Sequence, residues 1–514
     1  MRNILISLCS LLYAAAMEGQ ESPNFANAAT QPSSAAMAGK MSDANINLFV
    51  GTPSVSIPIY SYKGNSGTVM SISLDYNGGG LKVTEAPTMV GLSWFLSAGG
   101  TITRTVKGMP DDMPTNGYIY AGDIPADWRS NGSKYYHDSI DAQQDVFQFS
   151  YPGGSGRFFL GKNGQILVSP NSKLKVIPGF RTPDIYFPTT LKSFRLVAEN
   201  GVKYDFEEAD YTHYSVDYSF FGQGYSPDRS GYEGTTYPVL WYLTRIISPF
   251  SSDTIKINYQ SIGEAYYSFK FPQITFVNNA NGTRVTPTFA PGYGGAGSRK
   301  ISSVEFPDST TVSFIYSYAY KYGTDYALSK IKVKDTAFRF GYLLEYDTTT
   351  TYYEAGHSGN PSYRPIKLLL KSVTPYTSQE KQTGYSFSYT EPLFPRAGEP
   401  GDTFLNRQDY WGYYNAINNP PDTLLPKING YNWGADRRST GYAIANSLNK
   451  IFLPTGGYVK YNYVVNDHYP YTKESNSLSI APASNTQNTI TLNQVFNTKH
   501  QLQFFLDKCV ENLS

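Results

Sequence analysis

One short run of aromatic residues offers the side chains best suited to contact a ligand. It is Tyr410-Trp411-Gly412-Tyr413-Tyr414, and its rings could stack on the faces of sugars or pack against a partner protein. Aromatic residues in β proteins more often fill the core or form cross-strand pairs. We predict Tyr410, Trp411, Tyr413 and Tyr414 as ligand or partner contacts, with core packing as the alternative.

Patterns that hold metals or activate nucleophiles are missing from the sequence. The five histidines form no H-x-x-x-H, H-E-x-x-H or Cys/His cluster, the spacings typical of zinc sites. No G-x-S-x-G occurs. The acidic residues number 41, but no spacing selects a pair for glycoside hydrolysis. We therefore predict no catalytic residue, no metal and no cofactor.

A glycine-rich stretch formally matches the dinucleotide fingerprint, as Gly292-x-Gly294-x-x-Gly297. That motif requires a strand before the first glycine and a helix after the last. Here a proline precedes it, and Arg299-Lys300 leads into a strand-like segment. We predict a flexible loop rather than a nucleotide site.

Composition indicates which elements must position these residues. Charged residues make up 16%, against about 25% in an average soluble domain. Aromatic residues make up 15%, and 45 residues are tyrosine, which argues against disorder and favours strands. The net charge is +1 with no basic run, which argues against nucleic acid as a partner. The sequence predicts a large all-β protein.

The N-terminus is typical of a secretory signal. Arg2 precedes a mostly apolar run, Ile4 to Ala16, which ends in an A-x-A site and is too short to span a bilayer. We predict a signal peptide over 1–16, a flexible leader over 17–44, and export to the outer surface or the medium. Removal of the signal leaves Cys509 alone, so no internal disulfide could form.

Apolar residues then alternate with period two, as in half-buried strands. Two such runs are Val55 to Ile59 and Met70 to Tyr76, and Val312 to Tyr320 is a longer one. Ile102, Arg104 and Val106 also share a face. The charge of Arg104 predicts that this strand is only partly buried.

A quasi-repeat predicts stacked β-hairpins. In each full copy, one apolar residue lies six residues before a proline and a second lies three residues before it. An alternating run that ends in tyrosine follows the proline. The full copies begin at Leu243, Ile301 and Leu448. Looser copies are Leu328-x-x-Ile331 leading to Phe338 and Phe340, and Leu370-x-x-Val373 leading to Tyr385, Phe387 and Tyr389. An isolated hairpin is marginally stable, so the copies must share one sheet.

Several segments together resemble the N-terminal region of the Rhs/YD-repeat proteins exported by Bacteroidota. The similarity covers about residues 45–470. The matching stretches begin at Asn47 (NLFVGTPSVSIPIY), Leu74 (LDYNGGGLKV), Val90 (VGLSW), Ala98 (AGGTITR), Glu199 (ENGVKYDF), Asp409 (DYWGYYN) and Pro454 (PTGG).

The resemblance implies a fold and a role. Rhs proteins, like toxin-complex C components and teneurins, wind β-hairpins into a hollow shell that can enclose a C-terminal toxin. This chain departs from the family because it has no run of YD repeats, no self-cleaving core region and no variable toxin tail. The resemblance carries over no catalytic residue, and we expect a truncated or stand-alone part of such a shell.

The domain prediction follows from these segments. We expect a β-sandwich-like antiparallel domain over 45–238 and a curved, hairpin-rich sheet over 239–474. The remaining residues, 475–514, should form a truncated or mobile tail, with Leu502 to Leu513 at helical spacing.

Three functions stay open. The first is a secreted or cell-surface, non-enzymatic structural protein, the N-terminal shell part of an Rhs-type polymorphic toxin or surface protein. Its partners would be other shell parts or a toxin cargo. The second is an extracellular adhesion module that binds glycan or cells through the aromatic run. The third is a secreted glycan-acting enzyme, which needs two carboxylates roughly 5–10 Å apart across a cleft.

Overall fold

A computed structural model describes most of the chain from residue 51 to residue 463. The described ranges are 51–121, 141–213, 236–318, 326–390, 407–419 and 435–463, with gaps at 65–67, 81, 84, 86, 142, 185–186, 251–252, 269–272, 280–281, 289–291, 348–352, 356–360, 364–367, 379 and 418, together with residues 46–47, 478–480 and 490–492.

The described residues form strands and two short 3-10 helices, at Lys162–Gly164 and Gly441–Ile444, and no α-helix. The all-β prediction is therefore confirmed, and every strand pairing is antiparallel. The strands are β1 (Ile46–Asn47), β2 (Thr52–Lys63), β3 (Val69–Asn77), β4 (Trp94–Ser97), β5 (Thr101–Thr105), β6 (Val146–Tyr151), β7 (Gly154–Leu160), β8 (Ile166–Ser169), β9 (Lys175–Phe180), β10 (Leu191–Val197), β11 (Lys203–His213), β12 (Thr236–Ile247), β13 (Thr254–Ser268), β14 (Gln273–Asn279), β15 (Gly282–Thr288), β16 (Gly292–Glu305), β17 (Thr311–Tyr318), β18 (Tyr326–Lys334), β19 (Phe338–Asp347), β20 (Tyr353–Ala355), β21 (Pro361–Tyr363), β22 (Leu369–Tyr376), β23 (Tyr385–Tyr389), β24 (Leu448–Phe452), β25 (Tyr458–Lys460), β26 (Leu478–Ile480) and β27 (Ile490–Leu492).

Most strands belong to one large sheet that branches at β12. One edge of β12 pairs with β11 along its length. The other edge is shared, because residues 240–242 pair with β5 and residues 245–247 pair with β13. From β13 a ladder continues through β16, β17, β18, β19, β22, β23, β24 and β25.

The remaining strands form smaller sheets. β1 to β4 make a four-stranded sheet, and β14–β15, β20–β21 and β26–β27 are two-stranded. The chain divides into two compact units, 1–462 and 463–514. In the second unit the structure describes residue 463 and the β26–β27 hairpin.

All five predicted hairpins are present in the ladder. They are β12–β13, β16–β17, β18–β19, β22–β23 and β24–β25. In each, the second apolar residue of the first strand pairs with an apolar or tyrosine residue of the second strand. These pairs are Ile246–Ile255, Val304–Val312, Ile331–Tyr342, Val373–Tyr385 and Ile451–Val459.

Four residues after this pairing partner, each of the first four hairpins carries a tyrosine at a register shift. The tyrosine lies opposite the first apolar residue of the next hairpin, and the residue after that one is left unpaired as a β-bulge. The facing pairs are Tyr259–Ile301, Tyr316–Leu328, Tyr346–Leu370 and Tyr389–Leu448.

The four tyrosine hydroxyls make the same hydrogen bond. Each donates to the backbone carbonyl of the first apolar residue of its own hairpin. The donor–acceptor pairs are Tyr259–Leu243 at 2.7 Å, Tyr316–Ile301 at 2.8 Å, Tyr346–Leu328 at 2.7 Å and Tyr389–Leu370 at 2.7 Å. We call these four residues the bulge tyrosines. Burial raises the pKa of Tyr259, Tyr346 and Tyr389, so these hydroxyls keep their protons.

The chain before β5, which we call the N-terminal segment, accepts hydrogen bonds from the backbone amides of these first apolar residues. Leu328 donates to the Met89 carbonyl at 2.8 Å, and Leu243 donates to the Gly100 carbonyl at 2.9 Å. The Leu448 amide donates to the Tyr76 hydroxyl at 2.9 Å. The N-terminal segment therefore reaches three of the five hairpins through these amides, since a buried amide must find an acceptor.

Aromatic packing joins the four-stranded sheet to the ladder. The Tyr60 and Phe306 ring centroids are 5.0 Å apart, and those of Trp94 and Phe387 are 4.8 Å apart. The Trp94 indole also donates to the Tyr389 hydroxyl at 3.1 Å. Both sheets contribute to one continuous apolar core.

Two local predictions are wrong. Ile102 and Arg104 are both buried, because two carboxylates neutralise the guanidinium in the interior. The Gly292 stretch is the start of β16 rather than a loop, because its backbone pairs with β13 from Gly292–Ser268 onward. Pairing along a long partner strand outweighs the weak strand propensity of glycine.

Other predictions concern the termini and the boundaries. The signal, the leader, Cys509 and the helical spacing from Leu502 to Leu513 lie outside the described residues. The boundaries at 44/45, 238/239 and 474/475 stay predictions. Strands from both sides of residue 238 pair within the large sheet.

We expect Tyr346→Phe to lower the free energy of unfolding by about 1–3 kcal/mol, because it leaves a buried carbonyl without its donor. Tyr342→Phe, in the same strand, is the matched control. The Tyr342 hydroxyl is buried and has no hydrogen-bond partner, so its removal should be neutral or stabilising. Urea unfolding of both variants measures the difference, and equal losses would contradict the role of the bulge tyrosines.

Candidate functional site

The predicted aromatic run forms a tight loop organised by Asp409. This buried carboxylate accepts hydrogen bonds from the backbone amides of Trp411 and Tyr413, both at 2.9 Å. Arg437 donates to the Asp409 carbonyl at 2.7 Å. Gly412 has a positive φ of 88°, which a residue with a side chain rarely adopts. The loop is therefore held by hydrogen bonds to the carboxylate and the carbonyl of Asp409.

The loop is also attached to the N-terminal segment. The Val83 amide donates to the Gly412 carbonyl at 2.9 Å, and Lys82 forms an isolated bridge with Tyr413. The Lys82 ammonium lies 5.6 Å from the centroid of the Tyr413 ring, within cation–π range.

The four predicted contact residues have different exposures. Trp411 is 68% exposed and Tyr410 is 54% exposed. Tyr413 is half-buried. Tyr414 is 3% exposed and packs with Val83 and other buried residues in a small core. Tyr410 and Trp411 are therefore accessible from solvent and stay predicted contacts, whereas Tyr414 has almost no exposed surface.

A charged side chain lies beside one of the exposed rings. The Arg437 guanidinium lies 5.1 Å from the Tyr410 ring centroid. Burial lowers the pKa of Arg437 below its usual value, but a guanidinium remains charged at neutral pH. Arg438 and Asp436 form an exposed ion pair at 2.7 Å. Aromatic faces beside guanidinium and carboxylate groups can stack on a ring and hydrogen-bond its substituents.

A second group of chemically notable residues lies around Arg104, and we call it the carboxylate cluster. It consists of Arg104, Asp111, Asp112, Asp141 and Asp145, all buried. Arg104 donates to Asp112 and to Asp145, each at 2.7 Å. Asp111 and Asp145 exchange backbone-to-carboxylate hydrogen bonds at 3.0 Å.

The cluster joins distant segments of chain. The Asp112 carboxylate accepts from the Leu191 amide at the start of β10 at 2.6 Å. The Asp145 carboxylate accepts from the Lys107 amide at 2.8 Å. These bonds hold the loop after β5 against β6 and β10. Asp111, Asp112 and Asp145 are fully buried, so they present no carboxylate to a substrate.

Burial changes the ionisation of these groups. It raises the pKa of Asp111 to about 8, with a further increase from the charge of Asp145. It raises the pKa of Asp141 to about 7, although the Gln143 amide opposes the change. Burial opposes the charge on Arg104, but Asp112 and Asp145 outweigh it and raise its pKa. At neutral pH Asp111 is therefore mostly protonated, while Arg104 stays charged.

The sequence held a signal for this cluster. Arg104 alternates with Ile102 on an apolar strand face, and an arginine on such a face requires buried carboxylates. Asp111-Asp112 is an adjacent acidic pair in a weakly charged chain. Asp145 lies far along the sequence from Arg104 and from the acidic pair, so its contacts with them could not be predicted.

Other chemistry is limited in the part of the chain that the structure describes. No three His, Cys, Asp or Glu side chains there are placed to hold a metal ion. Across the same residues, no helix is both long and apolar enough to cross a bilayer. Four of the five histidines lie outside the described residues.

No family model and no curated protein matches the chain. Several solved structures are similar to it, among them the following two. The N-terminal domain of the effector protein SpvB from Salmonella typhimurium aligns at 11% identity and a TM-score of 0.29, over 63% of this chain and 99% of that one. The Photorhabdus luminescens Tc holotoxin pore aligns at 10% identity and a TM-score of 0.32, over 66% of this chain and 16% of that one. Both TM-scores lie below 0.5, so neither similarity assigns a family or a function.

We expect the stability of the protein to fall as pH rises from 5 to 8, in part because of Asp111. Its folded pKa of about 8 lies above the unfolded value of about 3.9. The folded state therefore binds the proton more tightly, and this contribution is lost as pH rises toward 8. Asp111→Asn should remove at least about 1 kcal/mol of the loss between pH 5 and pH 8.

Urea unfolding of both proteins at the two pH values measures this difference. Asp75→Asn, at a half-exposed carboxylate on β3, serves as the control and should keep the wild-type pH dependence. Parallel pH profiles for wild type and Asp111→Asn would contradict a protonated Asp111.

Proposed function

We propose that this chain is a non-enzymatic structural protein, the N-terminal part of a hairpin-built shell of the Rhs type. It would act outside the cytoplasm, at the cell surface or in the medium. Its partners would be other parts of the shell or a toxin cargo.

The observation that carries this proposal is the repeated hairpin joint. Four successive hairpins connect to the next through a bulge tyrosine, and the N-terminal strands pack on the same ladder. A joint that repeats unchanged can extend a sheet by adding hairpins, as a shell requires. The sequence motifs that resemble Rhs proteins, such as those at Asn47 and Asp409, agree with this interpretation.

The carboxylate cluster supports a structural role for the N-terminal part. Its aspartates are used by Arg104 and by backbone amides. Polar groups that are buried and paired specify the positions of loops rather than bind substrates.

Cross-linking of intact cells of the native host tests the proposed function. Surface and medium fractions are analysed for intact mass and for peptides cross-linked to this chain. We expect either a second hairpin-repeat polypeptide linked to it or a larger species that contains it. A cytoplasmic protein followed in the same fractions controls for lysis. Recovery of the chain in the cytoplasm alone, or without any hairpin-repeat partner or extension, would contradict the proposal.

A second candidate function is binding of glycan by an adhesion module. The exposure of Trp411 and Tyr410 on a fixed loop, with Arg437 beside the Tyr410 ring, favours it. Exposed rings on a preorganised backbone lose little conformational freedom on binding.

Affinity electrophoresis in gels containing xylan, mannan or β-glucan tests this candidate. If it is right, the protein should be retarded by one of these polysaccharides, and Trp411→Ala should lose on the order of tenfold in affinity. Phe250→Ala removes another exposed aromatic ring, 84% exposed, and should leave the affinity unchanged. No retardation, or equal retardation of Trp411→Ala and wild type, would contradict glycan binding through this loop.

A further inference from the structure

The last hairpin of the ladder differs from the other four at its outer edge. The second strands of the first four hairpins, β13, β17, β19 and β23, each pair with the first strand of the next hairpin. β25 is the second strand of the fifth hairpin, and within the described residues it pairs only with β24.

The fifth hairpin is also less well covered. In the first four hairpins the residue that pairs with the second apolar position is buried, at Ile255, Val312, Tyr342 and Tyr385. The equivalent Val459 is half-buried, and its neighbour Tyr458 is 60% exposed. The sequence nevertheless has a tyrosine, Tyr463, four residues after Val459, as in the other hairpins.

The backbone of β25 is oriented to accept a further strand. Leu453 donates to the Gly457 carbonyl and Tyr461 donates to the Asn449 carbonyl, both at 2.8 Å. Because hydrogen-bonding direction alternates along a strand, the backbone groups of Lys460 point away from β24. An outward row of donors and acceptors is a template for strand addition.

Charge specifies the sequence of the incoming strand. In the fifth hairpin Lys450 faces Lys460 across the pair, which is unfavourable for like charges. The first hairpin has the same arrangement, with Arg245 facing Lys256. There the next strand supplies Glu305 directly opposite Lys256.

Glu305 follows the two apolar residues Ile301 and Val304. A strand that places a carboxylate opposite Lys460 in the same way therefore has the pattern apolar-x-x-apolar-acidic. We propose that the outer edge of β25 binds a strand of this pattern from a hairpin on a separate polypeptide. This inference rests on the proposed shell function and assigns its partner-binding edge.

The test uses the full chain and a labelled hairpin peptide of residues 299–318, which contains the last seven residues of β16 and all of β17. Ser303→Cys and Ser313→Cys face each other across that hairpin and close the peptide with a disulfide, because an uncrosslinked hairpin is marginally stable. We expect saturable binding by fluorescence anisotropy. The peptide with Glu305→Lys should bind on the order of tenfold more weakly.

Variants of the full chain locate the binding edge. Lys460→Pro removes an outward-facing amide, which an edge strand tolerates, and should abolish peptide binding while the unfolding transition is retained. Lys460→Glu should prefer the Glu305→Lys peptide. Lys192→Glu, at another exposed lysine, should bind like wild type.

Three results would overturn the proposal. The first is the absence of binding by the closed peptide, and the second is binding that survives Lys460→Pro. The third is a concentration-dependent dimer in sedimentation that Lys460→Pro abolishes and the peptide does not displace. The last would assign the edge to a second copy of this chain. The peptide could fail to bind while cross-linking finds a hairpin-repeat partner at another surface of the chain. That combination would reject the β25 edge and leave the proposed function standing.

Discussion

The fold depends on how the ladder satisfies its backbone groups at each β-bulge. A bulge takes one residue out of the pairing, and the polar groups around it are left without ladder partners in a buried region. In this protein the hydroxyl of a tyrosine on the neighbouring strand supplies the missing donor, four times in succession. The tyrosine therefore joins two strands of its own hairpin while its backbone pairs with the next hairpin.

The N-terminal segment completes this arrangement from the other side. Met89, Gly100 and Tyr76 accept hydrogen bonds from the amides of the first apolar residues of three hairpins. The strands β2 to β4 are thus not an independent layer, because Tyr76 of β3 accepts from the Leu448 amide and Trp94 of β4 donates to the Tyr389 hydroxyl. The same segment holds the Asp409 loop through Val83, which explains why Trp411 is exposed on a fixed support.

The sequence predicts the hairpins because their cause is local. Apolar spacing, turn prolines and alternating second strands are all readable along the chain. The hydrogen bonds of the tyrosine hydroxyls cannot be predicted from the sequence, because a tyrosine at the end of a strand resembles any other aromatic strand residue. The hairpin at Leu328 shows this limit. Phe338 and Phe340 lie in its second strand, β19, as predicted, but the sequence does not indicate that Ile331 pairs with Tyr342 or that Tyr346 is the bulge tyrosine.

The candidate site shows the same division between local and long-range causes. Residue type alone predicts Tyr410 and Trp411 as contacts, and both rings are exposed, whereas the burial of Tyr414 depends on residues far away in sequence, such as Leu369. The prediction that Arg104 is only partly buried failed because its partners Asp112 and Asp145 lie 8 and 41 residues further along the chain. Charges that are paired across the fold cannot be placed from one strand.

Native-state hydrogen exchange tests most directly whether the N-terminal strands and the ladder form one cooperative unit. Peptides from β2–β4 and from β16–β24 should exchange through a common opening, with free energies within about 1 kcal/mol of each other as denaturant increases. Both should fall together in Tyr389→Phe, which removes the hydroxyl shared by Trp94 and Leu370. Exchange of β2–β4 at a free energy several kcal/mol below that of the ladder would contradict the account.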